Sequence, residues 1–140
     1  MKVAKIVFMG TPEFAVPALH RLTANNHQPE IVITQPDKPQ GRKKRLSPPI
    51  VKTEAEKLSI PVWQPEDINA VEIYEKLKEI EPDLIITAAY GGYIGRKLRT
   101  LPEIATVNIH PSLLPNYRGA SPVNAALWNG DKETGVTIFR

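Results

Sequence analysis

The chain has 140 residues, is 41% apolar and 24% charged, and carries a net charge of +3, the balance of a single soluble globular domain with a real core. It has no cysteine, and its three histidines, His20, His27 and His110, are scattered; disulfides and thiolate metal sites are excluded and no metal is expected. Met1-Lys2 leads into a strand-length apolar run without a cleavage site, and no run approaches the length of a membrane span, so a cytoplasmic protein is expected.

The first apolar run predicts a buried strand over residues 5–9. Gly10 then reads as a turn, Thr11 as an N-cap and Pro12 as the first helical position. Phe14, Ala18 and Leu22, with Leu19 beside them, recur at helical spacing until Asn25-Asn26 closes the element. A second strand is expected over 31–34. The segment that follows carries Pro36, Pro39, Gly41, Pro48 and Pro49 and reads as a loop. Within it Lys38, Arg42, Lys43, Lys44 and Arg45 place five positive charges in eight residues. Such a run suits a solvated loop or a phosphate-binding surface.

Residues 51–58 have helix-forming composition, Val62-Trp63 is a short strand, and Val71, Tyr74, Leu77 and Ile80 trace one face of another helix. The unbroken apolar run 84–89 suits a parallel strand covered on both faces. A short helix over 94–101, a strand over 105–109 and a helix over 122–128 closed by Asn129-Gly130 come next, and 136–140 has the look of one more strand. Strands alternating with helices imply an α/β fold, a Rossmann-like doubly wound and mostly parallel sheet. Ligands of such sheets sit beyond the carboxyl ends of strands at a topological switch point. Gly10, Tyr90 and His110 all stand at expected strand ends, so one crevice is able to hold all three. No G-x-G-x-x-G occurs, so a dinucleotide is not implied.

Asn108 and His110 are two residues apart at the end of an apolar run. Strand side chains alternate, so the two share a face while Ile109 points to the opposite layer, and Pro111, which has no N–H, ends the pairing. An Asn amide is a neutral donor for a developing oxyanion, and a His moves protons near neutral pH; acyl transfer to an amine needs both. The pattern N-x-H alone also fits a structural histidine.

The run after it, Ser112-Leu113-Leu114-Pro115 followed by Arg118-Gly119-Ala120-Ser121-Pro122, resembles the signature of the folate-dependent formyltransferases. Three other blocks resemble the same family in the same order: Phe8-Met9-Gly10-Thr11-Pro12-Glu13-Phe14-Ala15, Gln35-Pro36-Asp37-Lys38-Pro39 with Gly41-Arg42, and Ala89-Tyr90-Gly91. The resemblance implies an N-terminal formyltransferase catalytic domain over 1–140, incomplete at its C-terminal end, because the family places a catalytic aspartate and a further domain beyond the last strand.

The activity so implied is transfer of a formyl group from 10-formyltetrahydrofolate to the amine of methionine on initiator tRNA, with Asn108 and His110 catalytic. Ser112, Leu113, Leu114, Pro115, Ala89, Tyr90 and Gly91 would bind folate. Arg42, at the tip of the basic loop, would be the main tRNA contact, with Lys43, Lys44 and Arg45 neutralising phosphates. Gly92 departs from the family pattern, which has a bulkier residue there. Arg118 suits either a phosphate contact or a carboxylate partner. A monomer with no membrane partner is expected. Two other readings stay open: a formyltransferase with a small amine acceptor, or a hydrolase of the same donor, neither needing the basic loop; and a non-catalytic folate- or RNA-binding fragment.

Overall fold

A computed structural model describes residues 3–140; Met1 and Lys2, where the expected domain begins, lie outside the described residues. The opening apolar run becomes strand β1 (Ile6–Gly10), buried along its whole length. It pairs in parallel with β2 (Ile31–Ile33) on one side and β6 (Leu84–Ala88) on the other. Beyond these lie β5 (Val62–Trp63), parallel to β2, and β7 (Ala105–His110), parallel to β6. The last strand, β8 (Thr137–Phe139), runs antiparallel along the edge of β7. The sheet order is therefore β5-β2-β1-β6-β7-β8. From β1 the chain winds first to one side and then to the other, which opens a crevice at the carboxyl ends of β1 and β6.

Two apolar layers clamp the sheet. On one face Ile6, Phe8, Val32, Ile86 and Ala88 pack against Leu19 of α1 (Val16–Ala24) and against Val51 and Ala55 of α2 (Ile50–Lys57). On the other, Val7, Met9, Ile31, Ile33 and Ile85 meet Leu77 of α3 (Val71–Ile80) and Leu98 of α4 (Arg96–Arg99). Side chains such as Phe8, Met9 and Leu77 are fully buried, each contributing about 1.5–3 kcal/mol of hydrophobic stabilisation. Coverage on both faces is why the parallel strands read as continuous apolar runs. No helix among the described residues is long and apolar enough to cross a membrane.

Several local expectations change. The first helix starts at Val16 rather than Pro12, because residues Glu13–Ala15 form a 3-10 turn with no side-chain cap. Thr11, expected as an N-cap, instead donates its hydroxyl to the Tyr90 carbonyl at 2.7 Å and accepts the Gln35 N–H at 3.2 Å, tying the β1 end to two other chain crossings. The basic segment is not wholly a loop: β3 (Lys38–Gln40) and β4 (Arg45–Ser47) form an antiparallel hairpin that stands apart from the main sheet. The helix expected over 94–101 shrinks to α4, and α5 (Pro122–Trp128) forms where expected.

Gly10 closes β1 in a space that admits no side chain. A Cβ there would lie 2.7 Å from Ala15 Cβ and 3.0 Å from the Ala88 carbonyl oxygen, both held by backbone. Gly10→Ala is therefore expected to destabilise the fold by about 1–3 kcal/mol, read as a lower urea midpoint. An unchanged midpoint would contradict this close approach.

Candidate active site

Asn108 and His110 lie on β7, with Asn108 opposite Thr87 of β6 in the parallel register. The neighbouring Val107 and Ile109 pack into the α1–α2 layer. Asn108 and His110 both line a cleft of about 1120 Å³ on the other side, together with Thr87, Ala89, Tyr90, Gly91 and Gly92. The Thr87 hydroxyl donates to Asn108 Oδ1 at 2.8 Å. The amide oxygen is thereby occupied, and the Nδ2 donors are left for the cleft.

His110, 9% exposed, makes its own hydrogen bond through Nε2, 2.9 Å from the Tyr117 carbonyl oxygen. A carbonyl only accepts, so Nε2 carries a proton and Nδ1 is the nitrogen left for a proton transfer. Phe139 from β8 meets the imidazole edge-on, the ring centroids 6.4 Å apart. Tyr117 is itself fixed from outside. Its hydroxyl donates to the Asp131 carboxylate and accepts from the Asn129 amide, both just beyond α5, and the Asp131 hydrogen bond pushes the phenol up from its ordinary value. Tyr117 holds a left-handed φ of 57°, which the turn needs to aim its carbonyl back at the strand.

The residues expected to bind folate divide into three groups. Ala89, Tyr90 and Gly91 stand beside Asn108 and His110 in the large cleft. Leu114 and Pro115, with Arg118, line an adjoining depression of about 640 Å³ that also reaches Asn108 and His110. Ser112 and Leu113 point elsewhere. The Ser112 hydroxyl is buried and donates to the Asn116 carbonyl at 2.7 Å, while Leu113 is half exposed and packs where a Cβ on Gly135 would fall. Alternation along the turn that Pro111 starts sends only some of these side chains inward. Thr137 of β8 staples that turn, accepting the Leu114 N–H at 3.1 Å and donating to the Ser112 carbonyl at 2.7 Å.

The absent side chain at Gly92 has a visible consequence. A Cβ there would meet Gln35 Nε2 at 2.9 Å and Tyr90 Cε1 at 3.0 Å, so glycine lets both close over the cleft wall. Tyr90 is 4% exposed, and burial, followed by the Asp67 carboxylate, raises its phenol above the ordinary value. Thr87 and Tyr117 had no signal in the sequence: one is an ordinary strand threonine, and the other acts through its backbone.

Arg42, Lys43 and Lys44 sit at the turn of the hairpin and Arg45 opens β4, all exposed, and among the described residues neither they nor Lys38 make an ion pair. Its base is anchored. Asp37 accepts from Gln64 Nε2 at 2.6 Å and pairs with Lys52 at 3.2 Å, while Gln64 also donates to the Gln35 carbonyl at 3.1 Å. Gln35 connects in turn to Thr11 and so to Tyr90 of the cleft wall. Among the described residues no three His, Cys, Asp or Glu side chains gather into a metal-binding group.

The chain matches the model of the family described as formyl transferase over residues 1–140. A methionyl-tRNA formyltransferase of Thermotoga maritima is 51% identical over 136 residues, 97% of this chain and 44% of that protein. The enzyme of the same name from Halalkalibacterium halodurans is 52% identical over 135 residues, 96% of this chain and 43% of that protein. The chain thus spans less than half the length of these curated relatives. Among solved structures, phosphoribosylglycinamide formyltransferase from Streptococcus pneumoniae TIGR4 is 25% identical with a TM-score of 0.72, over 96% of this chain and 72% of that one. Glycinamide ribonucleotide transformylase 1 from Geobacillus kaustophilus is 28% identical with a TM-score of 0.69, over 96% of this chain and 73% of that one.

The anchor of the hairpin is a titratable one. The Gln64 hydrogen bond, and after it the Lys52 ammonium, hold the Asp37 carboxyl below its ordinary 3.8 despite partial desolvation. A depressed folded pKa means that the contribution is present above the unfolded value and disappears as pH falls through the folded one. The Gln64 side-chain amide signals in NMR are therefore expected to hold steady down to the ordinary carboxylate range and to shift only below it. A transition centred at or above 3.8 would contradict the anchor.

Proposed function

This chain belongs to the formyl transferase family, and on that premise we propose that it is the N-terminal catalytic part of a cytoplasmic enzyme that formylates methionyl-initiator-tRNA from 10-formyltetrahydrofolate for translation initiation. The observation that carries formyl transfer is the pairing on one strand of an amide whose Oδ1 is taken by Thr87 with a histidine whose Nε2 is bonded to the Tyr117 carbonyl, both lining the cleft. Bound in the cleft, the donor supplies an activated formyl carbonyl. Ala89, Tyr90 and Gly91 line the cleft for it and Leu114 and Pro115 the adjoining depression, and the mix of apolar side chains with a few converging polar groups suits a flat heterocycle.

Asn108 Nδ2–H then donates to the carbonyl oxygen as negative charge grows on it. A donor held in place before reaction loses nothing to reorganisation, and one such group is worth about 2.7–4 kcal/mol of barrier. His110 takes the proton shed by the attacking amine, through the nitrogen that the Tyr117 carbonyl leaves as acceptor, and the imidazolium so formed stabilises the oxyanion. The tetrahedral adduct then collapses with cleavage of the bond between the formyl carbon and the donor nitrogen, which takes that proton and leaves as tetrahydrofolate.

The acceptor reading rests on the hairpin. Cations without ion-pair partners among the described residues, on a two-stranded arm whose base is bonded through Gln35 and Thr11 to the cleft wall, suit a polyanion that must hold its end over the site. Methionyl-tRNA formyltransferases at about half identity support the same choice. The solved structures that are named for glycinamide ribonucleotide support the smaller acceptor at lower identity, and a small acceptor has little need of the hairpin.

Two substitutions in the full-length protein carrying this chain test the reading. His110→Ala is expected to lower kcat by at least about 10²-fold with the donor KM nearly unchanged; normal turnover would remove the histidine from the mechanism. Arg42→Ala is expected to raise the KM for Met-tRNA. It should also flatten by about one a log–log salt slope that lies near roughly −2 to −4 if three to five cations meet phosphates. Unchanged tRNA kinetics would take the hairpin out of the account.

A further inference from the structure

We propose that Thr87 is a positioning residue for formyl transfer, its hydroxyl deciding which end of the Asn108 amide faces the cleft; the inference rests on the function proposed above. An asparagine amide has two ends of nearly equal shape and opposite chemistry, and a half-turn about Cβ–Cγ exchanges them. With Nδ2 in the cleft the group stabilises a growing negative charge. With Oδ1 there it repels that charge.

The choice is made from below. Thr87 and Asn108 are direct partners across β6 and β7, so in a parallel pair both side chains rise from the same face. Thr87 is 7% exposed, which leaves little water to replace its hydroxyl. That hydroxyl has one proton, and its two available acceptors are Asn108 Oδ1 at 2.8 Å and the Val107 carbonyl at 3.2 Å. Giving the proton to Oδ1 holds the amide oxygen against the sheet and turns both Nδ2 hydrogens outward. Asn108 itself is partly open to solvent and makes no other side-chain hydrogen bond among the described residues. Thr87 touches no reacting atom in this arrangement; it acts through Asn108.

Thr87→Val keeps the branched shape and strand preference of the residue but removes the proton, while Thr87→Ser keeps the proton and drops the methyl. Steady-state kinetics of the full-length protein with 10-formyltetrahydrofolate and Met-tRNA should show kcat falling at least about tenfold in T87V, with both KM values and the pH profile unmoved. T87S should stay within about threefold of wild type. In an N108A background T87V should cost nothing further, because the group it orients is gone. A merely structural threonine would instead move thermal stability or KM and would add its loss to that of N108A.

Wild-type kcat in T87V, a T87S enzyme as slow as T87V, or full additivity with N108A would each overturn the proposal. A wild-type enzyme that forms no formyl-methionyl-tRNA would overturn the functional reading instead. The Asn108 side-chain amide signals separate that case: NOEs from one amide orientation in wild type and from both in T87V support the orienting role whatever the acceptor, and identical NOEs in the two proteins refute it.

Discussion

Because β6 and β7 pair in parallel with Thr87 opposite Asn108, the register of one strand pair decides the whole site. Side chains in a strand alternate, so a slip of one residue would turn Asn108 and His110 into the layer that now holds Val107 and Ile109. The register is protected by the burial that makes the sheet. Ile85 faces one apolar layer and Ile86 the other, and a slip would break both contacts together. Packing energy spent on the core therefore also fixes the two polar groups at its carboxyl edge.

The second control comes from the turn beyond His110. A strand sets the face of a side chain but not the rotation of an imidazole, and here the Tyr117 carbonyl sets it. Tyr117 is braced by Asn129 and Asp131 behind α5, and Thr137 of the edge strand pins the same turn through Ser112 and Leu114. Segments distant in sequence thus converge on one ring. The hairpin is built in the opposite way: two strands of three residues with exposed side chains, held at the base by Asp37, Lys52 and Gln64. A packed floor beside a hairpin held at its base suits the proposed reading, in which the acceptor is much larger than the cleft.

Hydrophobic periodicity made the sheet legible: β1, β2, β6 and β7 fall within a residue or so of the apolar runs. The shared face of Asn108 and His110 followed from the same alternation. What sequence could not supply were interactions that depend on where distant elements meet. Thr11 looks like an N-cap beside Pro12, yet in the folded chain the Tyr90 carbonyl and Gln35 N–H are its partners. Five cations among prolines hid a short hairpin, because pairing there comes from closure across Gly41 and Lys44 rather than from apolar alternation. Ser112 belongs to the motif by resemblance, but its hydroxyl closes a turn within the motif. Thr87 and the Tyr117 carbonyl carry no pattern at all.

The central claim is that cleft and hairpin serve one reaction with a tRNA-borne amine. The most direct measurement follows labelled formyl from 10-formyltetrahydrofolate, with the full-length protein, into Met-tRNA, glycinamide ribonucleotide and water in parallel. The account predicts label in Met-tRNA alone. Label in glycinamide ribonucleotide or as free formate would contradict it, leaving the chemistry of Asn108 and His110 in place and reducing the hairpin to a solvated arm.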